Sequence, residues 1–155
     1  MPVIECGFPA VNPSPADALQ IWGPTVQVDV GFDPSLFGQS GPATGARALV
    51  AVPAIQVPAL IDTGAQQSCI DEQLAQQLNL PLIDQAKLSG VSGAMIFNVY
   101  LAHIAIPGVA LQYGQFTGVH LQAGGQYHRV LIGRTLLRDV LLVYDGRSGS
   151  VKLAR

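Results

Sequence analysis

The sequence predicts a mainly β fold in a single domain with two short helices, and three observations lead to this prediction. The chain has 155 residues, which is the usual length of one domain. Hydrophobic residues make up 49% of it, enough for a buried core, and 17 glycines and 11 prolines favour strands and turns over long helices. Several short runs alternate apolar and polar residues, a period typical of strands.

The N-terminal part of the chain is predicted to divide at residue 22. Four prolines among the first fifteen residues indicate an extended arm over residues 1–22, followed by the folded domain over residues 23–155. Alternating or continuous apolar runs predict three strands in the first part of that domain, Thr25–Val30, Ala46–Val52 and Val57–Ile61. A loop rich in Gly, Ser and Pro separates the first strand from the second.

The clearest helix signal begins at Asp71, whose carboxylate can accept hydrogen bonds from the first free amides of a helix. Leu74, Ala75 and Leu78 then form an apolar stripe at helical spacing. Pro81 lies just beyond the stripe and marks the end of the helix. The pattern predicts a helix of about two turns.

The rest of the chain returns to strand patterns. Gly90–Gly93 is a turn candidate. Strands are predicted at Ala94–Ile106, Phe116–Leu121 and Arg129–Ile132, a second short helix at Arg134–Arg138, and a closing hairpin from Val140–Tyr144 and Ser150–Leu153 around Asp145-Gly146.

Charge and apolar patterning exclude several classes of function. Charged residues are 12% of the chain, against about 25% in a typical soluble domain. A net charge of −2 gives no basic face for a phosphate backbone, so no nucleic acid partner is expected. No run offers the roughly 20 predominantly apolar residues of a membrane span, so no membrane partner is expected.

Cysteine usage and the N-terminus predict a cytoplasmic protein. The N-terminus has no basic segment followed by an apolar core of signal-peptide length. Cys6 and Cys69 can form at most one bridge, so both thiols are expected to be reduced. The three histidines show neither helical pairing nor a companion cysteine cluster, and no phosphate-binding glycine loop is present; the sequence therefore predicts no metal and no cofactor.

One motif carries chemistry. The apolar run Ala59–Ile61 ends in Asp62, Thr63 and Gly64. A carboxylate at the end of a buried strand must be hydrogen-bonded, paired with a cation or shifted in pKa. Such acids are candidates for a functional role. The alternative is an Asx-type turn at a strand end, which needs no function.

Three segments together resemble the retropepsin-like aspartic peptidases, the family of retroviral proteases and their bacterial relatives. Leu60–Ala65 is similar to the family's active-site loop, Gly90–Gly93 stands where the family places its flap tip, and Val130–Leu137 resembles its second signature. The run from Ser68 to Pro81 resembles the bacterial branch. The resemblance covers about Ala48 to Leu137 and implies a closed, barrel-like acid protease fold.

The resemblance also implies roles for single residues. Asp62 would be catalytic, with Thr63, Gly64 and Ala65 forming the active-site loop. The remaining residues it implies are the flap or substrate-binding residues Gly90, Val91, Ser92 and Gly93, and the structural second signature Ile132, Gly133 and Arg134. The expected substrate is a peptide or protein.

The number of Asp-Thr-Gly motifs in the chain predicts how many copies form the site. Aspartic peptidase chemistry uses two carboxylates that share one proton, but the chain has a single Asp-Thr-Gly and no internal repeat. The other Asp-Gly pair, Asp145-Gly146, lacks the middle hydroxyl residue. The site is therefore expected to form between two copies around a two-fold axis, as a homodimer. A core-like dimer interface would also account for the low charge.

Gln66 departs from the retroviral pattern, in which an acid follows Asp-Thr-Gly-Ala and pairs with the arginine of the second signature. Arg134 is therefore expected to find another partner, either Asp139 or an acid across the interface. The alternative function on the same fold is a non-catalytic dimeric module that binds a peptide or protein. Catalysis by Cys69 with a histidine is disfavoured, because free cysteines are most often simply buried.

Overall fold

The protein is described by a computed structural model over residues 2–8, 12–37, 54–90 and 93–155. Within these ranges the strands are β1 Val3–Cys6, β2 Thr25–Gly31, β3 Ile55–Ile61, β4 Cys69–Asp71, β5 Leu82–Gly90, β6 Gly93–Ile106, β7 Ala110–Val119, β8 Val130–Ile132, β9 Leu141–Asp145 and β10 Ser150–Ala154. The helices are α1 Pro15–Trp22, α2 Glu72–Gln77 and α3 Arg134–Leu137, with a 3₁₀ turn at Pro34–Phe37. No helix in the described ranges is long and apolar enough to cross a membrane.

Six strands close into a ring. The main sheet runs β2-β3-β8-β4-β7-β6-β5, and β6 also pairs with β2, where Val30 lies opposite Ile104. The ring therefore consists of β2, β3, β8, β4, β7 and β6, and β5 stands outside it on β6. The mainly β prediction is confirmed, and the barrel-like form follows from this second pairing of β2.

The ring is filled by the alternate residues of its strands. In β2, Val26, Val28 and Val30 are buried whereas Gln27 is exposed, so the alternation read from the sequence is the actual inward and outward pattern. The largest fully buried side chains of the other ring strands and of α2 are Ile70, Leu74, Ile104, Ile106, Phe116, Val130 and Ile132.

A second sheet of three strands lies beside the ring, in the order β1-β10-β9. Strands β9 and β10 pair antiparallel from Asp145↔Ser150 to Leu141↔Ala154, as predicted for the closing hairpin. Strand β1 pairs with the other side of β10. The N–H of Gly7 then donates to the carbonyl of Thr25 at 2.9 Å, which joins the N-terminal segment to β2.

The prediction of an extended arm over residues 1–22 is wrong for its second half. Residues Pro15–Trp22 form α1, and the Ser14 hydroxyl accepts a hydrogen bond from the Asp17 N–H at 3.2 Å. A helix start is signalled here by Ser at the cap, Pro at the first helical position and an acid in the first turn. The prediction of an extended arm considered the number of prolines and not this signal. The domain boundary at residue 22 stays a prediction.

Other element boundaries differ from the prediction where strands are exposed. Strand β7 begins at Ala110 rather than Phe116, and β5, Leu82–Gly90, is a strand that the patterns above do not predict. The early residues of β5 are mostly exposed and those of β7 are exposed or half-buried, so neither strand shows a clear buried face there. The predicted strand Ala46–Val52 lies outside the described residues.

His128 is buried against Thr25, and this burial predicts a stability that depends on pH. The Thr25 hydroxyl donates to the Gly23 carbonyl at 3.0 Å, so the Nε2 of His128, 2.7 Å away, acts as donor to that hydroxyl oxygen. Burial lowers the pKa of His128 below its ordinary value of 6.5, and burial also lowers that of His103. The folded state thus favours neutral imidazoles.

We expect the free energy of unfolding to decrease as the pH falls from 7.5 through 6.5 towards 5. The unfolded chain takes up protons on these histidines around its own pKa, while the folded chain resists until the pH reaches its lowered pKa. Thermal melts of wild type and His128→Gln across this range check the prediction, because the variant should lose part of the pH dependence. The exposed His120 provides the control: His120→Gln should keep the wild-type slope, and an unchanged slope in His128→Gln would contradict the assignment.

Candidate active site

Asp62 lies at the end of β3, and its position is fixed by main-chain hydrogen bonds. Its N–H donates to the carbonyl of Ile132 in β8 at 2.9 Å. Its carboxylate Oδ1 accepts from the N–H groups of Gly64 at 2.9 Å and Ala65 at 3.2 Å. The side chain is half-buried. The turn thus holds the carboxylate in one orientation before any substrate is bound.

The sheet topology places this loop at the end of β8. Strand β3 runs parallel to β8, with Ile61 opposite Ile132. Strand β4 lies antiparallel on the other side of β8, with Cys69 opposite Leu131. The chain therefore leaves β3 at Asp62, passes across the end of β8 and returns along its other edge. A loop held on both sides in this way is well suited to position a reactive group.

Helix α3 binds the same loop through its first amides. The N–H groups of Arg134 and Thr135 donate to the carbonyls of Ala65 and Gln66, each at 3.0 Å. The Thr135 hydroxyl also donates to the Gln66 carbonyl at 2.8 Å. Gly133 supplies no side-chain cap, so the loop satisfies amides that a helix start otherwise leaves free. The two predicted signatures thus form one unit.

Gly133 permits the close approach of helix and loop. A Cβ atom at this position would lie 2.5 Å from the carbonyl of Gln67 and 2.8 Å from that of Gln66, nearer than real Cβ contacts occur. The Gly133 N–H donates to the hydroxyl of buried Ser68 at 3.1 Å. Only glycine can stand here without moving the loop. Ser68, for which the sequence predicts no role beyond its place in the Ser68–Pro81 resemblance, binds the same junction from the loop side.

The guanidinium of Arg134 binds main-chain carbonyls rather than an acid. Its Nη1 donates to the carbonyls of Thr63 and Gly64, both at 2.9 Å. Within the part of the chain that the structure describes, no ion pair joins it to Asp139. The expectation of Asp139 as its partner is therefore wrong. With Gln66 in the place of an acid, the cation turns to the two carbonyls that directly follow Asp62.

For the peptide cleavage that the resemblance implies, replacing Arg134 by Met is expected to lower the rate about tenfold or more, because small displacements of reacting groups have effects of this size. Two carbonyls beside Asp62 lose their donor, and the loop becomes less rigid. Initial rates on a cleaved peptide, with the thermal midpoint measured in parallel, check the prediction. Arg138→Met, at an exposed arginine of the same region, is the matched control, and equal rates in the two variants would contradict this role of Arg134.

A long hairpin extends from the ring. Strands β5 and β6 pair out to Gly90 opposite Gly93. Among the described residues, strand β6 joins β7 only from Val99 onward, and the residues of β6 before Val99 pair there with β5 alone. Met95 and Ile96 in this part are exposed. The predicted turn residues Val91 and Ser92 lie outside the described residues, and Gly90 opposite Gly93 is the last described pair of the hairpin.

Buried Glu72 fastens the base of this hairpin to α2. Its Oε1 accepts hydrogen bonds from the Tyr100 hydroxyl at 2.6 Å, Asn98 Nδ2 at 2.8 Å and Gln76 Nε2 at 3.0 Å. Burial and the nearby Glu72 carboxylate raise the pKa of Tyr100, so its hydroxyl keeps the proton that it donates. No motif in the sequence marks this anchor, because its members come from separate segments of the chain.

The competing cysteine site is disfavoured by its surroundings. Burial, and then the charge of Asp62, raise the pKa of the Cys69 thiol, which opposes formation of the nucleophilic thiolate. His128 is already engaged with Thr25. In the described ranges, no group of three or more His, Cys, Asp or Glu residues could hold a metal ion.

Comparison with known families agrees with this geometry. The family model described as "gag-polyprotein putative aspartyl protease" matches residues 49–139, more than half of the chain. The match includes the Asp62 loop, the β5–β6 hairpin and α3. No curated protein matches the sequence. The chain therefore belongs to the gag-polyprotein aspartyl protease family, a family of retropepsin-like aspartyl proteases.

Proposed function

We propose that the protein is a homodimeric aspartic endopeptidase in which each copy contributes one Asp62. The observation that carries the proposal is the Asp62 carboxylate, held by the amides of Gly64 and Ala65 in a loop that β8 and α3 fix. A loop built so firmly around one carboxylate is what a reaction at that carboxylate requires. The family supports protease activity, and the single Asp-Thr-Gly requires a second copy.

The mechanism follows from two carboxylates that face each other across the two-fold axis. Like charges so close cannot both ionise, so the pair holds one proton. One Asp62 takes a proton from a water held between the carboxylates, and that water attacks the carbonyl carbon of the scissile bond. The protonated Asp62 donates to the carbonyl oxygen.

The other predicted site residues would position the two Asp62 loops and the bound peptide. The exposed Thr63 would bond across the axis and hold the two loops together, and Gly64 leaves room for the substrate main chain. The β5–β6 hairpin, with Gly90 and Gly93 at its outer end, would serve as the flap that closes over an extended peptide. Peptide main chain bound as an added strand gives affinity that depends little on sequence.

A dilution series tests the proposal. The specific cleavage rate per chain should rise with protein concentration in parallel with the dimer mass from light scattering, because a single copy holds half of the carboxylate pair. A broad peptide library at acidic and neutral pH supplies the substrate. A monomer that cleaves peptides would refute the shared pair. A stable dimer that binds but cuts no library peptide would support the alternative, a non-catalytic peptide-binding or protein-binding module.

A further inference from the structure

Strand β7 carries a polar side chain, that of Gln112, on the face of the sheet that continues into the core. Ala110, Gln112 and Gly114 are half-buried and lead along this face to buried Phe116, whereas the residues between them are exposed. A polar group on such a face costs free energy unless it is hydrogen-bonded. The position of Gln112 therefore calls for a specific partner.

The partner of Gln112 is the hydroxyl of Ser68, 44 residues earlier in the chain. This hydroxyl donates to Gln112 Oε1 at 3.2 Å and accepts from the Gly133 N–H at 3.1 Å. A hydroxyl has one proton and two lone pairs, so a proton directed at Gln112 leaves the oxygen free to accept from Gly133. Because Ser68 is 2% exposed, its hydroxyl is shielded from bulk water and the direction of its proton is set by the protein.

Close packing does not fix the side chain of Gln112 in this orientation. It lines a cavity of about 150 Å³, whose other walls include Thr135, Leu136 and Arg138 of α3 and the residue after it. Atoms that border a cavity have fewer packing contacts to hold them than atoms in a filled core. The hydrogen bond with Ser68 is therefore what orients the amide group of Gln112.

We propose that Gln112 is a positioning residue of the candidate active site, which acts through Ser68 on the main chain at Gly133. Its Oε1 holds the proton of the Ser68 hydroxyl, and the hydroxyl oxygen in turn holds the Gly133 N–H. Hydrogen bonds in such a chain strengthen one another in a site of low dielectric. The expected effect on cleavage rests on the proposed function, whereas the connection from Gln112 to Gly133 does not.

Gly133 stands between two attachments of the loop that carries Asp62. The residue before it, Ile132, accepts from the Asp62 N–H at 2.9 Å. The residue after it, Arg134, donates its N–H to the Ala65 carbonyl at 3.0 Å. A shift of the main chain at Gly133 would therefore move both ends of the turn that orients the Asp62 carboxylate, and small displacements of a reacting group lower rates strongly.

Hydrogen exchange at the Gly133 amide, followed by NMR, tests the connection without any substrate. Gln112→Met keeps the length of the side chain but removes the acceptor, so exchange at Gly133 should accelerate several-fold relative to exchange at the buried Val28 amide of β2. Gln112→Glu keeps an acceptor oxygen and should stay near wild type. Gln115→Met, on the exposed face of the same strand, is the matched control. Unchanged exchange at Gly133 in Gln112→Met would overturn the proposal.

The kinetics of peptide cleavage separate positioning from general stability. In Gln112→Met, kcat should fall about tenfold with KM unchanged, because the reacting carboxylate is displaced while the surfaces that contact the substrate are kept. Gln112→Glu should restore most of the rate. In a Ser68→Ala background, Gln112→Met should cause no further loss, because the connection is already broken. An equal further loss in that background would overturn the route through Ser68.

The two measurements also separate this inference from the proposed function. If wild type cleaves no peptide but Gln112→Met accelerates exchange at Gly133, the connection is supported and the peptidase is refuted. If wild type cleaves peptides and neither exchange nor kcat changes in Gln112→Met, the peptidase stands and the role of Gln112 is refuted.

Discussion

The Asp62→Asn variant is expected to dimerise like wild type and to lose peptide cleavage by about 10⁴-fold or more, since both the general base and the general acid are removed. The amide oxygen of Asn can still accept from the N–H groups of Gly64 and Ala65, which now bind Oδ1 at 2.9 and 3.2 Å. The loop should therefore keep its shape. Cleavage assays and light scattering on the same samples measure the two outcomes.

A mixing experiment separates a shared site from two independent sites. When wild-type and Asp62→Asn chains are unfolded together and refolded, only dimers with two wild-type chains hold the complete pair. Activity should then follow the square of the wild-type fraction, so that an equal mixture gives about one quarter of the full activity. About one half would mean that each chain acts alone, and would refute the shared pair.

Asp139→Asn is the matched control for this experiment. Asp139 is exposed and lies just after α3, but no ion pair joins it to Arg134 in the described ranges. The same chemical change at this position should leave both cleavage and dimer mass unchanged. A loss of cleavage in Asp139→Asn would mean that the effect of Asp62→Asn comes from surface charge rather than from the reacting carboxylate.

The sequence predicts those elements whose signals are local. The alternation in Thr25–Val30 indicates a half-buried strand. Asp71 indicates a helix start, because its capping hydrogen bond to Leu74 spans only three residues. The Asp62 loop is readable for the same reason: an apolar strand ends in an acid and a glycine within three positions. Such features depend on a few neighbouring residues, so one chain suffices to find them.

Features that depend on distant residues could not be read in this way. The partner of Arg134 is a pair of main-chain carbonyls 70 and 71 residues earlier. Every residue has a main-chain carbonyl, so the sequence does not indicate which ones accept from Arg134. The anchor of Glu72 on Tyr100 spans 28 residues. Helix α1 was missed for another reason, since its prolines precede the helix or occupy its first position rather than interrupt it.

Asp71 shows how much of this structure depends on long-range contacts, and its replacement has the largest expected effect on stability. Its side chain is fully buried and forms an ion pair with Arg129 at 3.0 Å. Its Oδ1 also accepts from the N–H groups of Leu121 and Gln122 at 3.1 and 3.0 Å, and its Oδ2 accepts from Leu74 N–H. One carboxylate thus joins α2, the segment after β7 and the segment before β8.

We expect Asp71→Ala to lower the free energy of unfolding by about 3–5 kcal/mol, the range for removing one partner of a buried ion pair. Three amides and the Arg129 guanidinium lose their common acceptor, a carboxylate that is itself fully buried. Asp71→Asn keeps one oxygen and should lose less. Chemical denaturation of each variant at neutral pH measures the loss, with Asp84→Ala, at an exposed acid of β5, as the control.

A double-mutant cycle with Arg129 identifies the cause. Arg129→Met alone should also destabilise the fold, because it leaves the Asp71 carboxylate buried without its cation, whose Nε lies 3.0 Å away. The double variant Asp71→Ala/Arg129→Met should then lose less than the sum of the two single losses, because no uncompensated charge remains. Strictly additive losses would mean that the ion pair contributes nothing of its own and that Asp71 stabilises the fold through the three amides alone.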